Sequence, residues 1–201
     1  MTPAPTSPDS DARPSIGRRH LAYVWRLASR EPASVDLAVV HCTELPDLAT
    51  ARVYGEKIHY AKTATGNSGH FYIDRDGVIE EWAPIERVAH HVRSYNERSV
   101  GIELVNRGRF PDWYDSRAQT FEEPYSSEQI AALLNLLTWL KAVSPALKWI
   151  AGHDQLDQSL VQASDDPGKN VRRKLDPGPL FPWPQVLKQS GLIRFRDSEN
   201  A

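Results

Sequence analysis

The chain contains 201 residues, and its 24 basic and 26 acidic side chains give a formal net charge of -2. This length suits one domain of ordinary size with a hydrophobic core. The balanced charge, with no basic stripe along the sequence, argues against nucleic-acid binding. No stretch approaches the ~20 apolar residues that a membrane span requires, so we expect no membrane insertion. The single cysteine, Cys42, excludes an intramolecular disulfide.

The N-terminal segment, residues 1–15, is rich in Pro, Ser, Thr and Asp. Because it offers little apolar surface to bury, we predict a disordered tail there. It has neither the basic start nor the apolar run of a secretory signal peptide. The segment therefore favours a cytoplasmic location.

Apolar runs predict the first elements of the fold. Leu37–Cys42 is a short apolar run that predicts a buried strand ending on a histidine, His41. Residues 48–62 are compatible with a helix, although Gly55 weakens that prediction. Next come two β-rich runs, 70–74 and 78–82, which flank an Asp-Gly pair and so indicate a hairpin.

The second half of the chain continues the mixture of strands and helices. Residues 99–106 predict another strand, and residues 107–125 a long irregular loop. The clearest helix begins after Ser126, where Gln129 completes a capping box. Apolar residues then follow at helical spacing up to Pro145: Ile130, Leu133, Leu134, Leu137 and Leu140. We expect one more strand over 148–152, a loop to 173 and a short helix around 185–189, which together indicate the α/β class.

Two histidines stand at the ends of predicted strands, where functional sites are commonly assembled. They are His41 and His153, and each taken singly is more often a structural histidine. The chain has no HExxH helix and no CxxC pair. Any metal site must therefore combine residues that are distant in sequence.

Lys174 and Asp176 lie two residues apart in a segment that Pro177 biases toward extended geometry. Side chains at positions i and i+2 of an extended segment point the same way, so both would face one site. On the local pattern alone, a surface turn with a solvated ion pair is the simpler interpretation.

Glu103 stands between Ile102 and Leu104 in an otherwise apolar strand, and burial of a lone carboxylate is costly. Its face of the strand is either the solvated one or part of a functional site. Gly101 and Val105, which share that face, are not polar, and the pattern leaves both interpretations open.

Six stretches, in order, resemble the zinc N-acetylmuramoyl-L-alanine amidase family, which is related to AmpD-like enzymes, phage lysozyme-type amidases and peptidoglycan-recognition proteins. They are residues 38–43, 68–77, 89–91, 99–106, 151–153 and 173–183, the last containing Lys-x-Asp-Pro-Gly-Pro. Each alone is weak, but six in the family's order are specific. The resemblance implies a single amidase domain over residues 16–201, with a central mixed β-sheet flanked by helices.

The resemblance also implies a set of site residues. His41, His153 and Asp176 would bind one zinc ion per chain, which is the ligand set of a catalytic zinc with an open fourth position. Glu103 would act as the general base and acid, and Lys174 would stabilise the charge that develops on the carbonyl oxygen.

Other family positions are less sharply assigned. His70 and His91 lie in family motifs and are candidates for substrate binding. Gly69 occupies the position where phage-type relatives carry a tyrosine, so the glutamate scheme of the AmpD-like branch fits better. The segment 165–169 lengthens the loop before Lys174 relative to the short AmpD-like version.

The implied activity is hydrolysis of the amide bond between N-acetylmuramic acid and L-alanine, in peptidoglycan fragments or muropeptides. Two alternatives remain: a non-catalytic peptidoglycan-binding module, and a zinc hydrolase of another amide. The implied setting is recycling of muropeptides in the cytoplasm, with phage-type release or a removed signal as alternatives. The oligomeric state cannot be read from the sequence.

Overall fold

The computed structural model describes residues 14–196, so most of the tail predicted for residues 1–15 lies outside the described part of the chain. The strands are β1 (Ile16–Arg18), β2 (Leu37–Cys42), β3 (Phe71–Ile73), β4 (Ile79–Glu81), β5 (Ser99–Leu104), β6 (Trp149–Gly152), β7 (Leu160–Gln162), β8 (Asn170–Arg172) and β9 (Ile193–Arg194). The α-helices are α1 (Leu48–Gly55), α2 (Ser127–Val143), α3 (His153–Leu156) and α4 (Trp183–Ser190). Short 3-10 helices lie at Val24–Arg26, Pro32–Ser34 and Asn96–Arg98.

Within residues 14–196, seven strands form one sheet in the order β1-β4-β3-β5-β2-β6-β9. Neighbouring strands run parallel except for β3 and β4, which form the predicted antiparallel hairpin. This mixed sheet, flanked by helices, confirms the α/β fold class. No helix in this range is long and apolar enough to cross a membrane.

The core of the sheet places the candidate residues side by side. Strand β2 lies between β5 and β6, and all of its residues are buried. Its His41 is the register partner of Glu103 on β5, which is in turn the register partner of Tyr72 on β3. Since parallel strands end at the same edge of a sheet, the residues near the ends of β2, β5 and β6 meet there.

Helix α2 covers one face of the sheet. It begins as predicted, with Ser126 Oγ accepting from the backbone N–H of Gln129 at 3.0 Å and the Gln129 side chain accepting from Ser126 N–H. Its inward stripe is fully or almost fully buried and consists of Ile130, Leu133, Leu136, Leu137 and Leu140. Burying each such side chain contributes about 1.5–3 kcal/mol, so this stripe fixes the helix on the sheet.

Several predicted boundaries differ from the structure, and three of these differences affect the description of the fold. The helix predicted over 48–62 ends at Gly55, where a Cβ would lie 3.0 Å from the Trp82 ring and where Tyr23 Oη donates to the Gly55 carbonyl. The strand predicted over 99–106 ends at Leu104. The loop predicted up to residue 173 contains α3 and the antiparallel pair β7–β8, which are too short to show periodicity.

Candidate metal centre and active site

Three buried side chains meet at the edge of the sheet. The Nδ1 atoms of His41 and His153 lie 3.0 Å apart, and Asp176 Oδ2 lies 3.0 Å from the first and 3.1 Å from the second. Each residue is at most 3% exposed. His41 comes from β2, and His153 follows β6 directly. Asp176 is held against α3 because Asp154 N–H donates to its carbonyl at 2.8 Å.

The chemistry of this group fits a zinc ion. Burial, followed by the neighbouring His153, lowers the pKa of His41 to about 4, which leaves its ring neutral and able to donate an electron pair. Burial alone would raise the pKa of Asp176, but His153 and Lys174 hold it well below its usual range. Two imidazoles and one carboxylate are a common ligand set for catalytic zinc. Three electron-pair donors packed this closely repel one another unless a proton or a cation lies among them.

The second ring nitrogen of His41 has its own partner. His41 Nε2 lies 3.0 Å from His91 Nδ1, and Ser99 Oγ lies 3.2 Å from His91 Nε2. The ring of His91 rests on β5 because residue 101 is glycine, where a Cβ would lie 2.6 Å from that ring. Such outer partners fix the orientation and the tautomer of a metal-binding histidine.

Glu103 faces the group of His41, His153 and Asp176 instead of solvent. Its side chain is 14% exposed, and Oε1 lies 4.0 Å from His41 Nδ1. Burial, followed by the Asp176 carboxylate, raises the pKa of Glu103 to about 8. Gly69 provides the space for this side chain, because a Cβ at that position would lie 2.8 Å from Glu103 Cγ. A tyrosine at position 69 and Glu103 in its present position are therefore incompatible.

Lys174 and Asp176 line the same groove, whose volume is about 780 Å³. The surface turn that the local pattern favours is wrong, because Asp176 is 2% exposed and contacts both histidines. Lys174 is half-buried. The two side chains thus share one face, as the i and i+2 spacing predicts.

The geometry above brings together five of the residues that the sequence singles out: His41, Glu103, His153, Lys174 and Asp176. A family model described as N-acetylmuramoyl-L-alanine amidase matches residues 31–179, which contain all five. The chain belongs to the N-acetylmuramoyl-L-alanine amidase family.

Two curated relatives share part of this family member's sequence. AmiD of Escherichia coli, an N-acetylmuramoyl-L-alanine amidase, is 36% identical over 104 residues, which are 52% of this chain and 32% of AmiD. The endolysin of Enterobacteria phage K11 is 33% identical over 85 residues, which are 42% of this chain and 52% of the endolysin. The matched regions thus span about a third and about a half of these relatives.

Solved structures of amidases share the fold. The endolysin amidase LysCS from Clostridium intestinale superposes with a TM-score of 0.63 at 19% identity, covering 90% of this chain and 99% of LysCS. The E. coli AmiD complex with anhydro-N-acetylmuramic acid-L-Ala-D-γ-Glu-L-Lys has a TM-score of 0.59 at 24% identity, covering 83% of this chain and 61% of AmiD. Identities this low establish the architecture alone.

His70 and His91, the predicted substrate-binding histidines, occupy different environments. His91 lines the groove. His70 does not line it and is fully buried. Its Nδ1 accepts from Gly101 N–H at 3.0 Å, and its Nε2 lies 2.9 Å from both the Arg87 carbonyl and Arg30 Nη2. The ring of His70 thus stabilises the β5 backbone at Gly101 and does not face the groove.

The amidase-family site also includes a buried ion pair that sequence reasoning missed. Arg109 lies in the first long loop and Glu44 follows β2, and both line the groove while being at most 5% exposed. Neither residue stands in a periodic element, so no pattern in the sequence singles them out. Five tyrosine and tryptophan residues also line the groove: the buried Tyr72, and the more exposed Tyr54, Tyr60, Trp113 and Tyr114.

Proposed function

We propose that the chain is a zinc-dependent amidase that hydrolyses the bond between N-acetylmuramic acid and L-alanine in peptidoglycan or muropeptides. The observation that carries this proposal is the buried group of His41, His153 and Asp176, with Glu103 Oε1 4.0 Å from His41 Nδ1. Membership of the amidase family and the groove above this group support it.

His41, His153 and Asp176 would hold one zinc ion. When bound, zinc supplies Lewis acidity and lowers the pKa of a coordinated water toward neutrality. In its ionised form, Glu103 accepts a proton from the nucleophilic water. The water oxygen bonds to the carbonyl carbon of the muramoyl lactyl group, the carbon–nitrogen bond breaks, and Glu103 passes its proton to the departing alanine nitrogen. The products are a carboxylic acid and an amine.

Lys174 is the cation that we assign to the carbonyl oxygen. It lines the groove two residues before Asp176, and its positive charge lowers the pKa values of His41, Glu103 and Asp176. A fixed positive charge stabilises the negative charge that develops on that oxygen as the bond to water forms. Removing such a group commonly costs ~10²–10³ in kcat.

The groove is large enough for a muropeptide and has suitable walls. Its volume of about 780 Å³ falls within the usual range for small-molecule sites, which extends to ~1,000 Å³. The more exposed aromatic residues of the groove, Tyr54, Tyr60, Trp113 and Tyr114, offer flat faces for a sugar ring and apolar side chains. His91 is proposed as a groove residue near the scissile bond, whereas the environment of His70 favours a supporting role.

The proposal is tested with a defined anhydro-muramoyl tripeptide and, in parallel, with intact sacculi. Each substrate is incubated with the zinc-loaded protein and with the chelated protein, and the products are identified by mass spectrometry. We expect zinc-dependent release of an intact peptide that begins with L-alanine. No release by protein carrying one zinc ion per chain would favour a binding module or another amide substrate.

The comparison of the two substrates also defines the biological setting. Preference for the anhydro-muramoyl tripeptide would support muropeptide recycling, and lysis of sacculi would support a phage-type role. The cytoplasmic location stays a prediction, which fractionation of the source cells would check.

A further inference from the structure

Arg109 and Glu44 form a two-point ion pair beside the metal centre. Arg109 Nε donates to Glu44 Oε1 at 2.6 Å, and Nη2 donates to Glu44 Oε2 at 2.8 Å. The side chains are 1% and 6% exposed. Removing two charges from water costs several kcal/mol per ion, and only good geometry with further hydrogen bonds offsets that cost. The pair therefore depends on the hydrogen-bond partners around it.

The remaining donors of Arg109 reach the segment that carries the reactive residues. Nη1 donates to the Arg172 carbonyl at 3.0 Å, and Nη2 approaches the Arg173 carbonyl at 3.4 Å. Lys174 is the next residue, and Asp176 follows two positions later. Nη1 also contacts the Trp113 carbonyl at 2.9 Å, which ties the first long loop to the same point.

The backbone conformation at Glu44 and Gly108 allows the two side chains of the ion pair to approach each other. Glu44 has a φ of 49° and Gly108 a φ of 52°, both in the left-handed region. A Cβ at position 108 would lie 2.7 Å from Glu44 Cγ, so glycine is required for this approach. A non-glycine residue with positive φ costs about 1 kcal/mol or more, and it persists only where surrounding contacts hold it.

Glu44 also lies three residues after His41, so the ion pair links the two halves of the site. One half is β2 with His41, and the other is the segment 172–176. We propose that Arg109 is a positioning residue of this site, and that it places Lys174 and Asp176 relative to His41 through the carbonyls of Arg172 and Arg173. The inference rests on the proposed function, since it assumes that Lys174 and Asp176 act there.

Arg109→Lys is the informative change because it keeps the positive charge and removes the planar fork of donors. A control is provided by a second arginine that holds the same loop from outside it. Arg75, in the turn between β3 and β4, makes a more exposed pair of the same two-point geometry with Glu123, through Nε to Oε1 at 2.6 Å and Nη2 to Oε2 at 3.1 Å. Neither residue lines the groove. Arg75→Lys therefore measures the general cost of replacing a loop-tethering arginine.

Two readouts are compared below the melting temperature of each variant. We expect Arg109→Lys to lower kcat at least ~10-fold with KM changed less than ~3-fold, because small misplacements of reacting groups cost up to ~10² in rate. We also expect its zinc affinity, measured by chelator competition, to fall about 10-fold, since outer partners of metal ligands contribute ~10–100-fold. Arg75→Lys should leave both quantities near those of the wild type.

A double-mutant cycle with Lys174→Ala identifies the route of the effect. If Arg109 acts through Lys174, Arg109→Lys costs much less in the Lys174→Ala background than in the wild type. The proposal would be overturned if the losses in kcat caused by Arg109→Lys and Lys174→Ala simply multiplied in the double variant. It would also be overturned if the zinc affinity of Arg109→Lys equalled that of the Arg75→Lys control. Glu44→Gln provides a second variant in case Arg109→Lys does not fold, and the same losses are expected from it.

The zinc titration also separates this inference from the proposed function. If the wild type cleaves no muropeptide, the proposed function fails, while a selective loss of zinc affinity in Arg109→Lys still supports the positioning role. If the wild type cleaves and Arg109→Lys behaves as Arg75→Lys does, the positioning role alone is wrong.

Discussion

Glu103 Oε1 lies 4.0 Å from His41 Nδ1 because the two residues are register partners on neighbouring parallel strands, β5 and β2. The carboxylate and the imidazole are therefore placed by the hydrogen-bond ladder of the sheet, and not by a flexible loop. A site built on paired strands keeps its geometry through small changes elsewhere in the chain.

Glu103→Gln should abolish most of the activity while leaving zinc bound. The amide has almost the same shape as the carboxylate but cannot accept a proton, and general acid–base groups contribute ~10²–10⁴ in rate. The check is kcat together with zinc content per chain. Activity within ~10-fold of the wild type would remove Glu103 from the catalytic role.

Gly69→Ala should damage catalysis through Glu103. The added Cβ would lie 2.8 Å from Glu103 Cγ and 3.2 Å from the Gly101 carbonyl, so the carboxylate has to move. We expect kcat to fall by ~10–100-fold, the scale of a shift of about 1 Å in a reacting group. Gly17→Ala is the control, because its Cβ meets its nearest neighbour at 3.7 Å.

His91→Ala should weaken zinc binding by ~10–100-fold, because it removes the partner of His41 Nε2. Chelator competition at neutral pH measures the affinity directly. His91→Gln, which retains a side-chain donor and acceptor, should recover part of it. An unchanged affinity in His91→Ala would instead favour a role in substrate contact alone.

The Arg75–Glu123 pair should contribute to stability in a pH-dependent way. Partial burial would raise the pKa of Glu123, but hydrogen bonds from Arg75 and from Arg107 N–H hold it below its ordinary value. A depressed folded-state pKa stabilises the fold above the unfolded-state pKa of ~4.3, and this contribution is lost as the pH falls through the folded-state pKa.

Glu123→Gln should therefore lower the free energy of unfolding at pH 7 by about 1 kcal/mol or less, since the pair is partly exposed and screened. Urea denaturation of wild type and variant at several pH values provides the comparison. The difference should shrink as the pH falls below ~4. A difference that stays constant across this range would mean that the ionised carboxylate contributes nothing.

The sequence predicted the elements that have strong periodicity. Strand β2 and the capped start of α2 follow from their apolar spacing and their cap residues, and the Asp-Gly hairpin follows from its turn chemistry. The sequence did not show that α1 stops at Gly55, because that end depends on Trp82 packing against the helix and on Tyr23 bonding to its last carbonyl. Both contacts are tertiary.

The site residues likewise divide into those that the sequence indicates and those that depend on tertiary contacts. The resemblance nominated His41, Glu103, His153, Lys174 and Asp176, and the structure gathers all of them around one groove. The local pattern alone placed Asp176 in a solvated turn, because nothing nearby in sequence reveals two histidines that close over it. Arg109 was missed for a related reason: its partners are a carboxylate 65 positions away and carbonyl oxygens 63 and 64 positions away.

His41 and Asp176 are separated by 135 positions in the chain. A cation held between them would act as a reversible cross-link that closes a loop of most of the chain, and the unfolded chain would lack this cross-link. At a free zinc concentration of 100 times the dissociation constant, such binding adds about 2.7 kcal/mol to the free energy of unfolding. Zinc supply would then govern the resistance of this protein to heat and to proteases, so metal starvation would reduce its abundance as well as its turnover.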